Sequence, residues 1–177
     1  MNAYYTHQQY LQKELDTLSD KSFVLELGIG DGSCPLMYEF CKSNPDSVVS
    51  SFETDSEWFY KMFEKYGDLP NYIFNLLESW DDLTNHVNEE KYDLVFVDQS
   101  PWQARIDSIN LLKDKVDTFI LHDYDYFNKD EFSSSKETCN SIYVNDETSW
   151  LGKTYSGEFT LEDNYQLLPP TLVMRKK

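Results

Sequence analysis

The sequence predicts an α/β domain built on a doubly wound parallel sheet, and three observations carry that expectation. Strand-like and helix-like segments alternate from Phe23 to Leu121, the rhythm such a sheet demands. Leu94-Val95-Phe96-Val97 is continuously apolar, which suits a central strand covered on both faces. The strand Phe23-Val24-Leu25-Glu26-Leu27 runs straight into Gly28-Ile29-Gly30-Asp31-Gly32-Ser33, with glycine at alternate positions. Glycine permits positive φ and carries no Cβ, so such a loop can turn sharply and lie against a ligand.

Each element has its own signal. Tyr10, Leu11, Leu15 and Leu18 recur at roughly helical spacing and predict an N-terminal helix over 4–18. Strand one covers 23–27. Pro35 then stands in the first turn of a helix, where its missing N–H does no harm, and Leu36, Met37 and Phe40 give that helix an apolar face. Residues 48–52 form strand two. A helix over 56–66 carries Trp58, Phe59, Met62 and Phe63, and Gly67 ends it. Strand three spans 72–76, a short helix 80–87, and strand four 94–97. Ile106, Ile109 and Leu112 share one face of a helix over 103–112, and strand five, 118–121, stops at His122-Asp123. Residues 128–149, rich in Ser, Asn, Asp, Glu and Lys, break the rhythm as either a solvated insertion or a substrate lid. Thr171–Met174 reads as a terminal strand whose companion has no clear signal, and Pro169-Pro170 limits its extent. One domain, 1–177, accounts for the whole pattern.

Composition narrows the function. The chain has 177 residues, 40% of them hydrophobic, enough for a real core. Its 32 acidic and 15 basic residues give a formal charge of −17. That surface repels phosphate backbones and anionic lipid, so neither nucleic acid nor membrane is expected as a partner. The one basic cluster is Arg175-Lys176-Lys177. Cys34, Cys41 and Cys139 have neither metal-ligand nor disulfide spacing, and the first two read as small packing residues. No apolar run resembles a signal peptide or reaches the ~20 residues of a membrane span, so a cytoplasmic protein is expected. His7 and His86 lie in polar helical contexts and read as surface residues.

The pattern Glu26-Leu27-Gly28-x-Gly30-x-Gly32-Ser33 closely resembles the nucleotide-binding loop of class I S-adenosylmethionine-dependent methyltransferases. The related dinucleotide fingerprint G-x-G-x-x-G also wants a small sixth residue, here Ser33. The resemblance covers about 20–125. It implies a Rossmann-like sheet of seven strands with the last antiparallel, and S-adenosylmethionine as cofactor. In that family Gly28, Gly30 and Gly32 would wrap the amino-acid part of the cofactor, and Glu26 would meet its ammonium group directly or through water. The alternative for Glu26 is a carboxylate capping loop amides. Glu53, at the end of strand two, is placed to accept from ribose hydroxyls, whereas Asp55 already serves as an N-cap. Leu77-Glu78-Ser79-Trp80 matches the adenine-binding position, with Glu78 taking the amino group and Trp80 either walling the ring or joining the core.

Strand four delivers Asp98-Gln99-Ser100-Pro101-Trp102 to the same rim. Asp98 with Arg105 and then His122-Asp123 resembles small-molecule and carbohydrate O-methyltransferases. That likeness implies a small hydroxylated acceptor such as a sugar, Asp98 beside the cofactor, and His122 or Asp123 as general base. Arg105 would bind a substrate carboxylate or stabilise Asp98. Asp98 and Asp123 could instead share Mg²⁺, with Asp125 as a third oxygen ligand, but no ligand motif closes that set and no metal is expected. Each group also has a plain structural role open to it: a helix cap for Asp98, its ion pair for Arg105, a satisfied rim imidazole for His122. Ser100-Pro101-Trp102 bears a weaker resemblance to the acceptor loop of amino-group N-methyltransferases, which normally has two prolines. A non-catalytic cofactor-binding scaffold is the remaining alternative. A homodimer would suit so small a chain.

Overall fold

The computed structural model describes residues 5–87, 91–124, 154–164 and 169–177. Seven strands run β1 (Phe23–Leu27), β2 (Val48–Glu53), β3 (Tyr72–Leu76), β4 (Tyr92–Val97), β5 (Val116–His122), β6 (Phe159–Asn164) and β7 (Thr171–Lys176). Around them lie α1 (Gln8–Leu15), α2 (Cys34–Ser43), α3 (Ser56–Tyr66), α4 (Trp102–Leu112) and a 3₁₀ turn, Trp80–Asn85. The sheet order is β3-β2-β1-β4-β5-β7-β6. Strands β1 to β5 pair in parallel, and β7 is antiparallel to both β5 and β6. The doubly wound sheet with an antiparallel last strand is therefore present, and β6 is the companion that the sequence left unplaced.

The strand order reverses beside β1, which has β2 on one side and β4 on the other. Open α/β sheets bind ligands in the crevice beyond the carboxyl ends at such a point. Side-chain alternation splits the core in two. Leu25, Leu27, Val95, Val97, Phe119 and Leu121 face α4 and pack with its Ile106, Ile109 and Leu112. Val24, Leu94, Phe96 and Ile120 face the other way, onto Leu11 and Leu15 of α1 and Met37 and Phe40 of α2. Glu26, Asp98 and His122 continue that second set two residues on.

Several boundaries differ from those expected. The N-terminal helix begins only at Gln8, and the 80–87 segment is a 3₁₀ turn closed by a Ser79–Asp82 capping box. Strand β5 is longer than predicted at both ends, where Val116 pairs with Tyr92 of β4 and His122 with Thr171 of β7. Cys34 and Cys41 are buried, as expected of packing residues. Arg175, part of the basic C-terminal cluster, is used internally: it binds Glu14 of α1 at 2.5 Å and Glu162 of β6 at 2.7 Å. No described helix is long and apolar enough to cross a membrane. Asp125, Cys139 and the 128–149 insertion lie outside the described residues.

Candidate functional site

The glycine loop owes its shape to two close approaches. Gly28 has φ +90°, and a Cβ there would lie 2.6 Å from the Asp98 carbonyl oxygen. Glycine alone lets the ends of β1 and β4 meet this closely. At Gly32 a Cβ would come within 2.8 Å of the His7 ring. The residue before α1 thus lies directly over the loop, and His7, expected at the surface, is only 2% exposed. The spacing that suggested a surface helix missed this because the contact is tertiary and α1 starts after His7.

Neighbouring elements hold the loop rigid. Glu53 accepts from the backbone N–H of Ile29 at 3.1 Å, Thr54 at 2.7 Å and Asp55 at 2.9 Å. Its Oε2 takes only the Ile29 amide, so it retains capacity for a further donor. Trp58 donates its indole N–H to the Ile29 carbonyl at 2.5 Å, and Lys65 binds Asp31 at 3.0 Å. Asp55 caps α3 through the Trp58 amide, as its position predicted.

Glu26 sits beneath the loop rather than on its rim. Its carboxyl is wholly buried and accepts hydrogen bonds from the Ser51 hydroxyl and, at 3.0 Å, the Tyr72 hydroxyl. Burial with no cation beside it raises the Glu26 pKa, against the pull of its hydrogen bonds. The amide-capping role considered for Glu26 falls to Glu53 instead.

Two cavities flank the strand ends. One, of about 320 Å³, is lined by Tyr5, His7, the Gly30–Ser33 loop, Trp58 and Asp98. The other, about 770 Å³, lies between the loop after β3 and the start of α4, and includes Thr54, Glu78, Ser79, Trp80, Ser100 and Pro101. Trp80 lines this cavity, packs on the core, as one of its two expectations held, and donates to the Ser100 carbonyl at 2.9 Å.

At the rim, Arg105 reaches back from the first turn of α4 and joins three groups. Nε donates to the Gln99 carbonyl at 2.6 Å, Nη2 pairs with Asp98 Oδ1 at 3.0 Å, and Nη1 donates to the His122 carbonyl. Of its two expected roles, the structure displays the one on Asp98. The other Asp98 oxygen lies 3.1 Å from His122 Nδ1. Burial pushes the Asp98 carboxyl up, but His122, Arg105 and His7 outweigh it and hold the pKa below the usual range. Asp123 behaves oppositely: burial raises its pKa despite His122 and Arg105. It also has φ +55°, a conformation aspartate tolerates better than most residues. Desolvation, then His122, pushes the His7 imidazole down to about 4, so it is neutral at physiological pH.

The structure therefore brings Asp98, Arg105, His122 and Asp123 to one rim, with Gly30, Gly32 and Asp98 around the smaller cavity and Glu78 and Ser79 in the larger. Neither Glu26 nor Glu53 lines either cavity.

No family model and no curated protein matches this chain. Solved structures do match. An rRNA methylase from Streptococcus thermophilus aligns with TM-score 0.65 at 16% identity, over 99% of this chain and 97% of its own. The Podospora anserina methyltransferase PaMTH1, bound to S-adenosylhomocysteine (SAH), aligns with TM-score 0.63 at 15% identity, over 97% and 78%. A Staphylococcus aureus protein proposed as a caffeoyl-CoA O-methyltransferase aligns with TM-score 0.62 at 12% identity, over 96% and 80%. The chain has the Rossmann-like methyltransferase fold. At these identities the likeness establishes the fold, and two of the neighbours are named for different acceptors, rRNA and caffeoyl-CoA.

Proposed function

We propose that this protein is an S-adenosylmethionine-dependent methyltransferase acting on a small hydroxylated acceptor. The observation that carries the reading is the glycine loop at the switch point of the sheet, with one cavity lined by Gly30–Ser33 and Asp98 and a second beside Glu78 and Ser79. The methionine end of the cofactor fits the first and the adenine the second. Glu53, with one uncommitted acceptor position, takes a ribose hydroxyl between them. Glu26 acts from below, setting the loop rather than touching the ligand.

When bound, the cofactor would supply an activated methyl group for the acceptor oxygen, with SAH as the product. The acceptor proton must go to a base. Two neighbouring carboxyls with pKa values moved apart divide the work. Asp98, paired with Arg105 and with its pKa held below the usual carboxylate range, orients the acceptor, and Asp123, raised by burial, takes the proton. Positioning accounts for much of the remaining rate.

The acidic surface favours a small acceptor over RNA, although one structural neighbour is an rRNA methylase. The single proline after Gln99 likewise favours oxygen over an amino-group acceptor.

Calorimetric titration with SAH tests the cofactor, and Glu53→Ala is expected to weaken binding. Transfer of labelled methyl to a panel of sugars, phenols and RNA oligonucleotides tests the acceptor, with Asp123→Asn lowering kcat by roughly 10²–10⁴-fold. SAH binding without any transfer would leave a cofactor-binding scaffold. Failure to bind SAH would overturn the reading.

A further inference from the structure

The hydrogen bonds around His122 leave one position to be filled. The Thr6 hydroxyl donates its proton to the Pro169 carbonyl at 2.7 Å. It therefore receives the 3.1 Å contact from His122 Nε2, which must carry a hydrogen. In a neutral imidazole Nδ1 is then a bare lone pair, and it faces the Asp98 carboxylate at 3.1 Å. Two lone pairs do not face each other inside a protein without a positive charge between them. A proton supplies one solution and a metal ion the other.

His7 decides between them. Its ring lies edge-on to His122, with centroids 4.5 Å apart, and it is 2% exposed. Neither of its nitrogens completes a hydrogen bond of full geometry, the Gly32 backbone being a polar neighbour of the ring. A ligand nitrogen of His7, a ligand nitrogen of His122 and an Asp98 oxygen all lie within 4.8 Å of one another. Two buried imidazoles and a carboxylate whose donor atoms converge this closely form a ready chelate. We propose that His7, Asp98 and His122 bind one divalent transition-metal ion, with Zn²⁺ as the reference case.

The surroundings fit that ion. Two imidazoles and one carboxylate suit zinc and its neighbours and disfavour Mg²⁺, which prefers an all-oxygen set. Metal-ligating groups are normally oriented by outer hydrogen bonds, and both are present: His122 Nε2–H to Thr6 to Pro169, and Asp98 Oδ1 to Arg105. Bonds of about 2.0–2.1 Å place neighbouring ligand atoms roughly 3–3.5 Å apart, so His7 has only a short distance to close. His7 and Asp98 both line the smaller cavity, so a fourth position opens where a ligand would enter. The ligand set rests on geometry alone. Its use in binding and ionising an acceptor hydroxyl rests on the methyl-transfer reading.

The test uses the full-length protein after chelator treatment, titrated with Zn²⁺ by calorimetry and with Co²⁺ by visible absorption. One equivalent is expected, with cobalt bands typical of mixed nitrogen and oxygen ligation. Thr6→Val is expected to weaken Zn²⁺ binding roughly 10–100-fold. His7→Ala and the isosteric Asp98→Asn are each expected to weaken it at least as much, while His86→Ala leaves it unchanged. Circular dichroism identifies any variant that fails to fold, and the remaining variants then decide. Substoichiometric binding by the wild type, or binding that survives loss of His7 and Asp98, overturns the site. SAH titration of the metal-free protein separates the two proposals. SAH bound with no metal uptake removes the metal site alone, and metal bound with no SAH uptake removes the cofactor reading alone.

Discussion

The two faces of the sheet are built from the same strands and have opposite characters. On the α4 face, Leu25, Leu27, Val95, Val97, Phe119 and Leu121 form an apolar layer. On the α1 face, alternate residues begin apolar, with Val24, Leu94, Phe96 and Ile120, and turn polar at the carboxyl ends, with Glu26, Asp98 and His122. Burial persists at Glu26, 0% exposed, and His122, 3%, while Asp98 is half-buried at the crevice. The α4 face provides stability by excluding water. The α1 face surrenders some of that stability to hold charged and titratable groups beside the crevice.

Substitutions on each face should separate these roles. The largest effect belongs to the apolar side. Leu121→Ala removes a side chain with no exposed surface and should cost about 2–5 kcal/mol in denaturant unfolding. SAH affinity of the folded fraction should be unchanged. A weakened affinity at full folding would show that the α4 face also shapes the site.

The next effect is on the polar side and depends on pH. His7 falls from 6.5 to about 4 in the folded chain, so the stability it contributes is complete above 6.5 and is lost as pH drops toward 4. Metal-free protein should lose on the order of 3 kcal/mol over that window through this group. His7→Phe should remove that slope. Identical pH profiles for the two proteins would mean that His7 reaches water.

How much of this was legible in the sequence follows the same division. The apolar face was, because period-two and helical repeats are local; Leu94–Val97 and the Ile106, Ile109, Leu112 stripe both fell where predicted. The loop from Glu26 to Ser33 was also readable, since alternate glycines leave few conformations open. Strand β6 was not, because Phe-Thr-Leu-Glu-Asp-Asn offers few apolar positions and the strand forms by antiparallel pairing with β7. The polar face was only half readable. Asp98, Arg105, His122 and Asp123 could be placed at strand ends by counting, but nothing local indicates that His7 covers Gly32, or that Thr6 and Pro169, far apart in sequence, orient His122. Glu26 and Glu53 were both readable as acidic groups near the loop. Which one caps amides depends on strand register: Glu53 ends β2 level with the loop, whereas Glu26 lies lower, against Ser51 and Tyr72.

That last distinction yields the smallest and sharpest prediction. Glu26 has its pKa raised in the folded chain, so its contribution is complete below the unfolded value of 4.5 and is lost as pH rises through the folded value. Glu26→Gln keeps the shape and an acceptor for the Ser51 and Tyr72 hydroxyls while removing the ionisation. If Glu26 is a neutral acid in the fold, the variant should match the wild type within about 1 kcal/mol at low pH, since neutral hydrogen bonds replace neutral ones. It should then become the more stable of the two as pH rises, because only the wild type must ionise a buried group. Two charge-assisted bonds would instead be worth roughly 1.5–3 kcal/mol each, so a variant markedly less stable at neutral pH would show that the carboxylate is already charged. Such a charge under the glycine loop would attract a cofactor ammonium from below. SAH affinity measured across the same pH range would then track the ionisation of Glu26 in the wild type and stay flat in the variant.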